Sequence, residues 1–144
     1  MVETSSNNII VASMLDGQVL INALNANLAQ QWGLSIGVGT PTTVTSIVMK
    51  SDTEFMIVGS TTHSSGVGES DIMGVAISNG NVAEVFTIGS SSSSVNDYGK
   101  GVVLTSDGGY LFLGRIAGSL GNILAKVSST YQWEWGKTLT GDSN

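Results

Sequence analysis

Cysteine is absent from the 144 residues, so disulfides, thiolate metal ligands and cysteine nucleophiles are excluded together. The single histidine, His63, makes most catalytic triads unavailable. Charged residues make up only 11% of the chain, against about 25% in a typical globular domain. Solubility therefore depends on serine, threonine, asparagine and glycine.

Positive charge is especially scarce. Five lysine and arginine residues stand against eleven aspartate and glutamate residues, which gives a net charge of -6. The five cations are isolated from one another along the chain, so neither nucleic acid nor an anionic membrane is an expected partner. No apolar run approaches the roughly 20 residues of a spanning helix, and the first residues lack the features of a signal peptide. We therefore expect no membrane insertion.

Motifs for cofactor binding and catalysis are also missing. The sequence has no GxxxxGK[ST] phosphate loop, no HExxH and no EF-hand loop, and residues 37–42 lack the third glycine of a dinucleotide fingerprint. The serine tract at residues 90–94 is not a GxSxG nucleophile elbow. The sequence therefore predicts no catalytic residue, no metal site and no cofactor. Paired carboxylates remain an open alternative, although no spacing brings two of the acids together.

An internal repeat organises what is present. Its clearest copy is residues 103–114, where the turn Asp107-Gly108-Gly109 joins two segments with strand composition. Residues 48–59 match this copy after a shift of 55 positions, and residues 2–13 match it after a shift of 101. The chain is therefore predicted to be a single repeat domain, residues 1–144, made of three copies at residues 2–47, 48–102 and 103–144.

Each copy continues with a second pair of strand-like segments. In the third copy these are residues 122–128 and 132–139, and Trp135 aligns with Trp32 of the first copy. Val85 is the residue that we align with these tryptophans in the middle copy. No segment keeps a convincing helical period, so each copy is predicted to form four short antiparallel strands, the size of one propeller blade of about 40–50 residues.

The third copy resembles a known type of repeat. Residues 107–114, followed by Lys126 and then by Trp135-Gly136-Lys137, resemble the "DGGY-hydrophobic-G … K … W-x-K" repeats predicted to form β-propellers in bacterial and some eukaryotic surface proteins. The resemblance covers nearly the whole chain, with departures at residues 6–8 and 53–54. It implies an all-β fold of three four-stranded antiparallel β-propeller blades. It says little about activity, since such blades occur as adhesive, lectin-like and scaffold modules.

Three blades are too few for a ring, because closed propellers usually have about four to eight. The first and last sheets would each keep an apolar face uncovered, near residues 9–11 and 111–113. An exposed apolar face is an association site. We therefore expect a fragment of a larger propeller with further blades, or self-association that completes the ring, for example by a twofold pairing of two chains.

The aromatic residues divide into repeated and unrepeated positions. Phe55 and Tyr110 occupy one repeat position, and Trp32 and Trp135 occupy another. A position that is aromatic in several copies is expected to pack between blades, so we assign these four residues to the core. Trp133 has no aromatic counterpart, and it is the better candidate for an exposed contact.

The longest segments between strands are expected on one face of the blades. They are residues 37–42, 61–71, 90–98 and 115–120. Binding residues concentrate on variable loops held by a rigid scaffold. The candidate ligand-binding residues on this face are His63, Glu69, Asp71, Asp97, Tyr98 and Arg115. For His63 the simpler interpretation is a solvated loop residue, because the acids near it lack the spacing of a metal motif.

The sequence favours a non-catalytic binding or structural module at the cell surface or outside the cell, with a glycan or a protein as its ligand. Loops that are rich in serine and glycine and poor in charge, together with the missing catalytic motifs, support this hypothesis. One alternative is a hydrolase or lyase fragment that uses loop carboxylates such as Glu69, Asp71 or Asp97. Another is an architectural repeat that assembles with itself into a filament or sheath.

Overall fold

The protein is built almost entirely from β-strands. The structure is a computed structural model that describes residues 1–37, 40–62, 70–89, 96–116 and 121–140. Twelve strands lie in these ranges, and no helix is found there, so the described chain has none that could cross a membrane. This confirms the all-β prediction.

The strands form three four-stranded antiparallel sheets that follow chain order. Sheet 1 contains β1 (Val2–Glu3), β2 (Ile9–Leu15), β3 (Gln18–Leu24) and β4 (Gln30–Ile36). Sheet 2 contains β5 (Thr40–Met49), β6 (Glu54–Thr62), β7 (Ser70–Ser78) and β8 (Asn81–Ile88). Sheet 3 contains β9 (Asp97–Leu104), β10 (Tyr110–Ile116), β11 (Gly121–Val127) and β12 (Trp133–Thr140). The predicted repetition of four strands in three copies is thus present.

Sheet 2 lies between the other two sheets. Along β6, Phe55 and Ile57 belong to a buried cluster shared with sheet 1, whereas Met56 and Val58 belong to a second cluster shared with sheet 3. Successive side chains of a strand point to opposite faces, so a strand buried on both faces is apolar throughout. Sheets 1 and 3 each keep one face that no described sheet covers, and the three sheets do not close into a ring.

The turn between the first two strands has the same hydrogen bonds in sheets 1 and 3. The Thr4 N–H donates to the Asn8 carbonyl, and the Thr105 N–H donates to the Gly109 carbonyl. Both turns need one residue in the left-handed region, which Gly108 supplies at a φ of 80° and Asn7 supplies at 60°. Glycine and asparagine tolerate this conformation best, which explains why the turn survives without Asp-Gly-Gly in the first copy.

A β-bulge recurs between the third and fourth strands of every sheet. The register shifts between Ala23 and Leu24, between Ala76 and Ile77, and between Lys126 and Val127. The residues paired just before the shift are Trp32, Glu84 and Trp135. Glu84, rather than Val85, therefore occupies the tryptophan position in sheet 2, because the connection between its third and fourth strands is one residue shorter than in sheets 1 and 3.

The predicted aromatic core is only partly correct. Phe55 and Tyr110 are buried, as expected, and Trp32 is half-buried. The assignment of Trp135 to the core is wrong, because its side chain is 45% exposed. Trp32 lies where sheets 1 and 2 meet, near Asp52 and Phe55, whereas Trp135 lies on the uncovered side of sheet 3. Of the two equivalent tryptophans, the one with a following sheet is thus the more buried.

The hydroxyl of Tyr110 is the basis of a first prediction. The ring is buried and stacks on Tyr131, with centroids 6.2 Å apart, but the hydroxyl oxygen has no hydrogen-bond partner among the described residues. A buried hydroxyl without a partner is costly. We expect Tyr110→Phe to keep the free energy of unfolding at pH 7 within about 1 kcal/mol of the wild type, or to raise it.

The same substitution should also change how the free energy of unfolding falls at alkaline pH. Burial raises the pKa of Tyr110 to about 12, with smaller contributions from Tyr131 and Glu54. In the unfolded chain the phenol ionises near its ordinary pKa of about 10. The free energy of unfolding therefore keeps its full value below about pH 10 and falls as the pH rises toward 12, because the unfolded chain loses this proton first. Urea unfolding at pH 7, 10 and 11 should show a smaller alkaline loss for Tyr110→Phe. A large loss at pH 7 would show instead that the hydroxyl is bonded.

Candidate functional site

The predicted site residues occupy different surroundings. His63 and Glu69 lie outside the described residues, as do most of the long segments predicted to form one face. Asp97 and Tyr98 are the first two residues of β9, and Tyr98 pairs with Arg115 of the adjacent strand β10. The backbone N–H of Ser70 donates to the Asn96 side chain over 2.9 Å, which fixes the start of β7 beside β9.

Sheet 3 separates Asp97 from Tyr98 and Arg115. Asp97 is only 1% exposed and pairs with Ile116, whereas Tyr98 and Arg115 pair with each other on the opposite face. Lys100 lies 5.6 Å from the centre of the Tyr98 ring. The structure therefore places an aromatic ring and two cations together, and it turns the neighbouring carboxylate to the other face.

Asp71 lies at the start of β7, where it pairs with Thr61. Its carboxylate occupies the space that a side chain at position 89 would need, so glycine is the residue that fits there. Gly89 in turn forms part of a groove between sheets 2 and 3. The Asp71 carboxylate lies on the face of sheet 2 that points away from this groove, because its neighbour Ile72 faces sheet 3.

The groove runs between the end of β8 and the outer strands of sheet 3. Its lining residues are Thr87, Ile88, Gly89, Ile123, Trp133, Gly136, Lys137 and Thr138. They combine one indole, aliphatic side chains and the side chain of Thr138, which pairs with Ile123 on the face toward sheet 2, and no carboxylate is among them. The lining is about equally polar and apolar. Binding sites commonly join apolar surface to a few placed polar groups.

Trp133 reaches the groove because of the bulge in β12. Trp133 pairs with Val127, whose side chain is buried toward sheet 2, and Trp135 pairs with Lys126 on the other face. Without the extra residue Glu134, strict alternation would place both tryptophans on the same face. Trp133 is 55% exposed, as expected from its lack of an aromatic counterpart.

Gly136 allows the indole of Trp133 to lie along its own strand. A Cβ atom at position 136 would be 2.8 Å from Cη2 of Trp133, which is too close for a carbon contact. The ring therefore packs over the glycine, and 55% of the residue remains open to the groove. A flat apolar ring beside hydroxyl groups is suited to the apolar face of a sugar ring.

The aspartate of the repeated turn has structural partners in both copies that contain it. Asp52 accepts hydrogen bonds from the N–H and the hydroxyl of Ser5, and thus connects sheets 1 and 2. These two bonds hold the pKa of Asp52 below its ordinary value, and the bond from the Ser5 hydroxyl has the larger effect. Asp107 accepts from Thr105, Gly109 and Lys126, and these bonds hold its pKa low as well. Neither carboxylate is therefore a good candidate for proton transfer near neutral pH.

Lys126 forms a compact ion network inside sheet 3. Its ammonium lies 2.9 Å from Asp107 and 3.2 Å from Glu134, the bulged residue of β12. The hydrogen bond to Asp107 raises the pKa of Lys126, and Glu134 adds to this effect while burial opposes it. Two carboxylates near one buried ammonium neutralise its charge, so Lys126 supports the bulge rather than offering a free cation.

No family model matches the sequence, and no curated protein matches it. Within the ranges that the structure describes, no three histidine, aspartate or glutamate side chains come together as a metal site would require. The Trp133 groove combines a half-exposed indole, aliphatic side chains and Thr138, and no carboxylate is in its lining.

Proposed function

We propose that the protein is a non-catalytic module of β-propeller-type blades that acts outside the cell or at the cell surface and binds a neutral glycan in the Trp133 groove. The observation that carries this proposal is the half-exposed indole of Trp133, which is held over Gly136 and faces the threonine-containing wall of the groove. An apolar ring face and hydroxyl donors are complementary to a sugar, which has an apolar face and a hydroxyl rim.

The low charge of the molecule supports a neutral ligand. No carboxylate lines the groove, and its one cationic residue, Lys137, pairs with Leu124 on the uncovered face of sheet 3. A protein ligand with charged contacts would find few partners on a surface where only 11% of residues are charged. An uncharged polysaccharide needs hydrogen bonds and ring contacts instead, and the groove supplies both.

Binding to an array of neutral oligosaccharides tests this proposal, followed by titration of the best ligand with tryptophan fluorescence as the signal. We expect Trp133→Ala to weaken binding by at least about tenfold, because an aromatic anchor in a pocket commonly contributes 2 kcal/mol or more, about thirtyfold. Trp135→Ala is the matched control, since it removes the same side chain from the same strand on the opposite face. All variants are compared at one low protein concentration.

Three outcomes would count against glycan binding in this groove. The array could return no ligand, the two tryptophan variants could lose affinity equally, or the protein could bind only charged peptides. Turnover of a glycosidic or ester substrate would instead favour the hydrolase or lyase alternative.

A further inference from the structure

The uncovered face of sheet 3 repeats faces that are covered elsewhere in the same chain. Its first row runs across the four strands through Val103, Leu111, Lys126 and Trp135. The corresponding row of sheet 2 is Val48, Met56, Ala76 and Glu84, and that of sheet 1 is Val2, Ile10, Ala23 and Trp32. Val48, Met56 and Ala76 of the sheet 2 row pack in the cluster shared with sheet 3, whereas Glu84 is exposed, and the whole row of sheet 1 packs in the cluster shared with sheet 2.

This face of sheet 3 is apolar enough to be covered in the same way. Leu111, Leu113 and Leu124 lie side by side on it with Val103 and form a shallow groove. The charge of Lys126, the one cation in the first row, is already neutralised by Asp107 and Glu134. A sheet packed on top would therefore bury no unpaired ammonium at this position.

The uncovered face of sheet 1 corresponds to the face with which sheets 2 and 3 each pack against the sheet before them. Ile9, Leu24 and Val11 occupy the positions of Tyr110, Val127 and Phe112, the residues with which sheet 3 packs against sheet 2. All three are half-buried apolar residues. Sheet 1 thus carries the face that sheets 2 and 3 use to cover the preceding sheet, and no other sheet of the described residues packs against it.

Leu28 independently indicates that another sheet packs against the uncovered face of sheet 1. The turns at residues 25–29 and 128–132 have the same backbone hydrogen bonds, and they place Leu28 and Tyr131 in the left-handed region, at φ values of 63° and 64°. Tyr131 packs against the buried cluster between sheets 2 and 3, whereas Leu28 is 66% exposed. A leucine in this strained conformation gains apolar contacts only if another sheet lies against sheet 1.

Charge also distinguishes the two uncovered faces. Apart from the paired Lys126, sheet 3 carries the cations Lys100, Arg115 and Lys137, and residues 1–37 contain no lysine or arginine. Glu3 lies in the same cross-strand row as Ile9 and Leu24 on the uncovered face of sheet 1. Opposite charge on the two faces favours their encounter and disfavours pairing of like faces.

We propose that the uncovered face of sheet 3 binds the uncovered face of sheet 1 of a second copy of this chain, so that copies associate head to tail. Two chains related by a twofold rotation would place six sheets in one ring, a number found in closed propellers. The proposal is independent of glycan binding, because the Trp133 groove lies between sheets 2 and 3 of one chain.

Sedimentation velocity over a range of concentrations tests the association with single substitutions on each face. We expect the wild type to form a dimer or a larger head-to-tail assembly, and we expect Leu113→Glu and Val11→Lys each to weaken association by about tenfold or more. Val82→Glu is the control, because Val82 and Leu113 are both 40% exposed and Val82 belongs to sheet 2. Circular dichroism establishes that each variant is folded.

Mixing the two blocked variants identifies which faces meet. In a head-to-tail arrangement, Leu113→Glu keeps a working sheet 1 and Val11→Lys keeps a working sheet 3, so the mixture should form a heterodimer that neither variant forms alone. A wild type that stays monomeric at every concentration would overturn the proposal. So would association that only one of the two substitutions weakens, since that result indicates contact between like faces.

Discussion

Phe112→Ala is expected to lower the free energy of unfolding by about 3–5 kcal/mol, as large-to-small substitutions of buried aromatics do. Phe112 is completely buried between sheets 2 and 3, and its ring meets that of Phe86 edge to face, with centroids 5.6 Å apart. The substitution removes this contact and leaves a cavity. Strand β10 is hydrogen-bonded on both sides, so it can move little to fill the cavity. Urea denaturation followed by circular dichroism measures the loss.

The adjacent residue provides the control for Phe112. Leu113 is 40% exposed on the uncovered face, so Leu113→Ala is expected to cost about 1 kcal/mol or less. Similar losses for the two substitutions would contradict the alternation of buried and uncovered faces along β10. The experiment is done in dilute protein, so that association between copies does not contribute.

Gly99→Ala is expected to destabilise the protein by about 3 kcal/mol or more, at or above the upper end of ordinary overpacking. A Cβ atom at position 99 would overlap with the backbone carbonyl of Gly59, which belongs to the neighbouring sheet. The Gly99 carbonyl accepts from the Thr45 hydroxyl over 3.0 Å, and its N–H donates to the Ser60 hydroxyl over 3.1 Å. Sheets 2 and 3 would have to separate at this point, with loss of both bonds.

Gly101→Ala, in the same strand, is the matched control. A Cβ atom there would meet no atom within 4 Å, so the substitution is expected to be neutral or slightly stabilising through the lower entropy of the unfolded chain. Thermal unfolding of the two variants gives the comparison. Equal melting temperatures would show that sheets 2 and 3 do not approach at Gly99 as described.

The strand content could be predicted because the repeat marks it directly. Segments such as residues 103–114 combine β-branched residues with a turn signal, and three copies of one pattern reinforce each other. The division into three antiparallel sheets follows, since four strands joined by short connections pair with their neighbours. Local sequence was sufficient here because both the turns and the alternation are local properties.

The position of the tryptophans could not be predicted in the same way. Trp133 and Trp135 are two residues apart and appear to share a face, and only the bulge at Glu134 separates them. A bulge is a property of the pairing with β11, which the residues of β12 alone do not reveal. Glu84 rather than Val85 matches the tryptophan position because the connection before β8 is one residue shorter than in the other two sheets.

The prediction that Trp135 is buried is wrong because a repeat position shows which face of a sheet a residue occupies, and it does not show whether another sheet covers that face. Trp32 is half-buried because sheet 2 follows sheet 1, and no described sheet follows sheet 3. The groove beside Trp133 is likewise a product of how sheets 2 and 3 meet. Its contributors, among them Thr87 and Thr138, are more than 50 residues apart in the chain.

Residue-resolved hydrogen exchange tests most directly that sheet 2 is the middle of the stack. The Leu113→Glu variant is used, so that association does not cover the outer faces. We expect the paired amides of β6 and β7 to exchange more slowly than those of β3, β10 and β11, because these five strands are paired on both sides along most of their length but only β6 and β7 are covered on both faces. If the slowest amides lay in sheet 1 or sheet 3 instead, the stacking order would be contradicted.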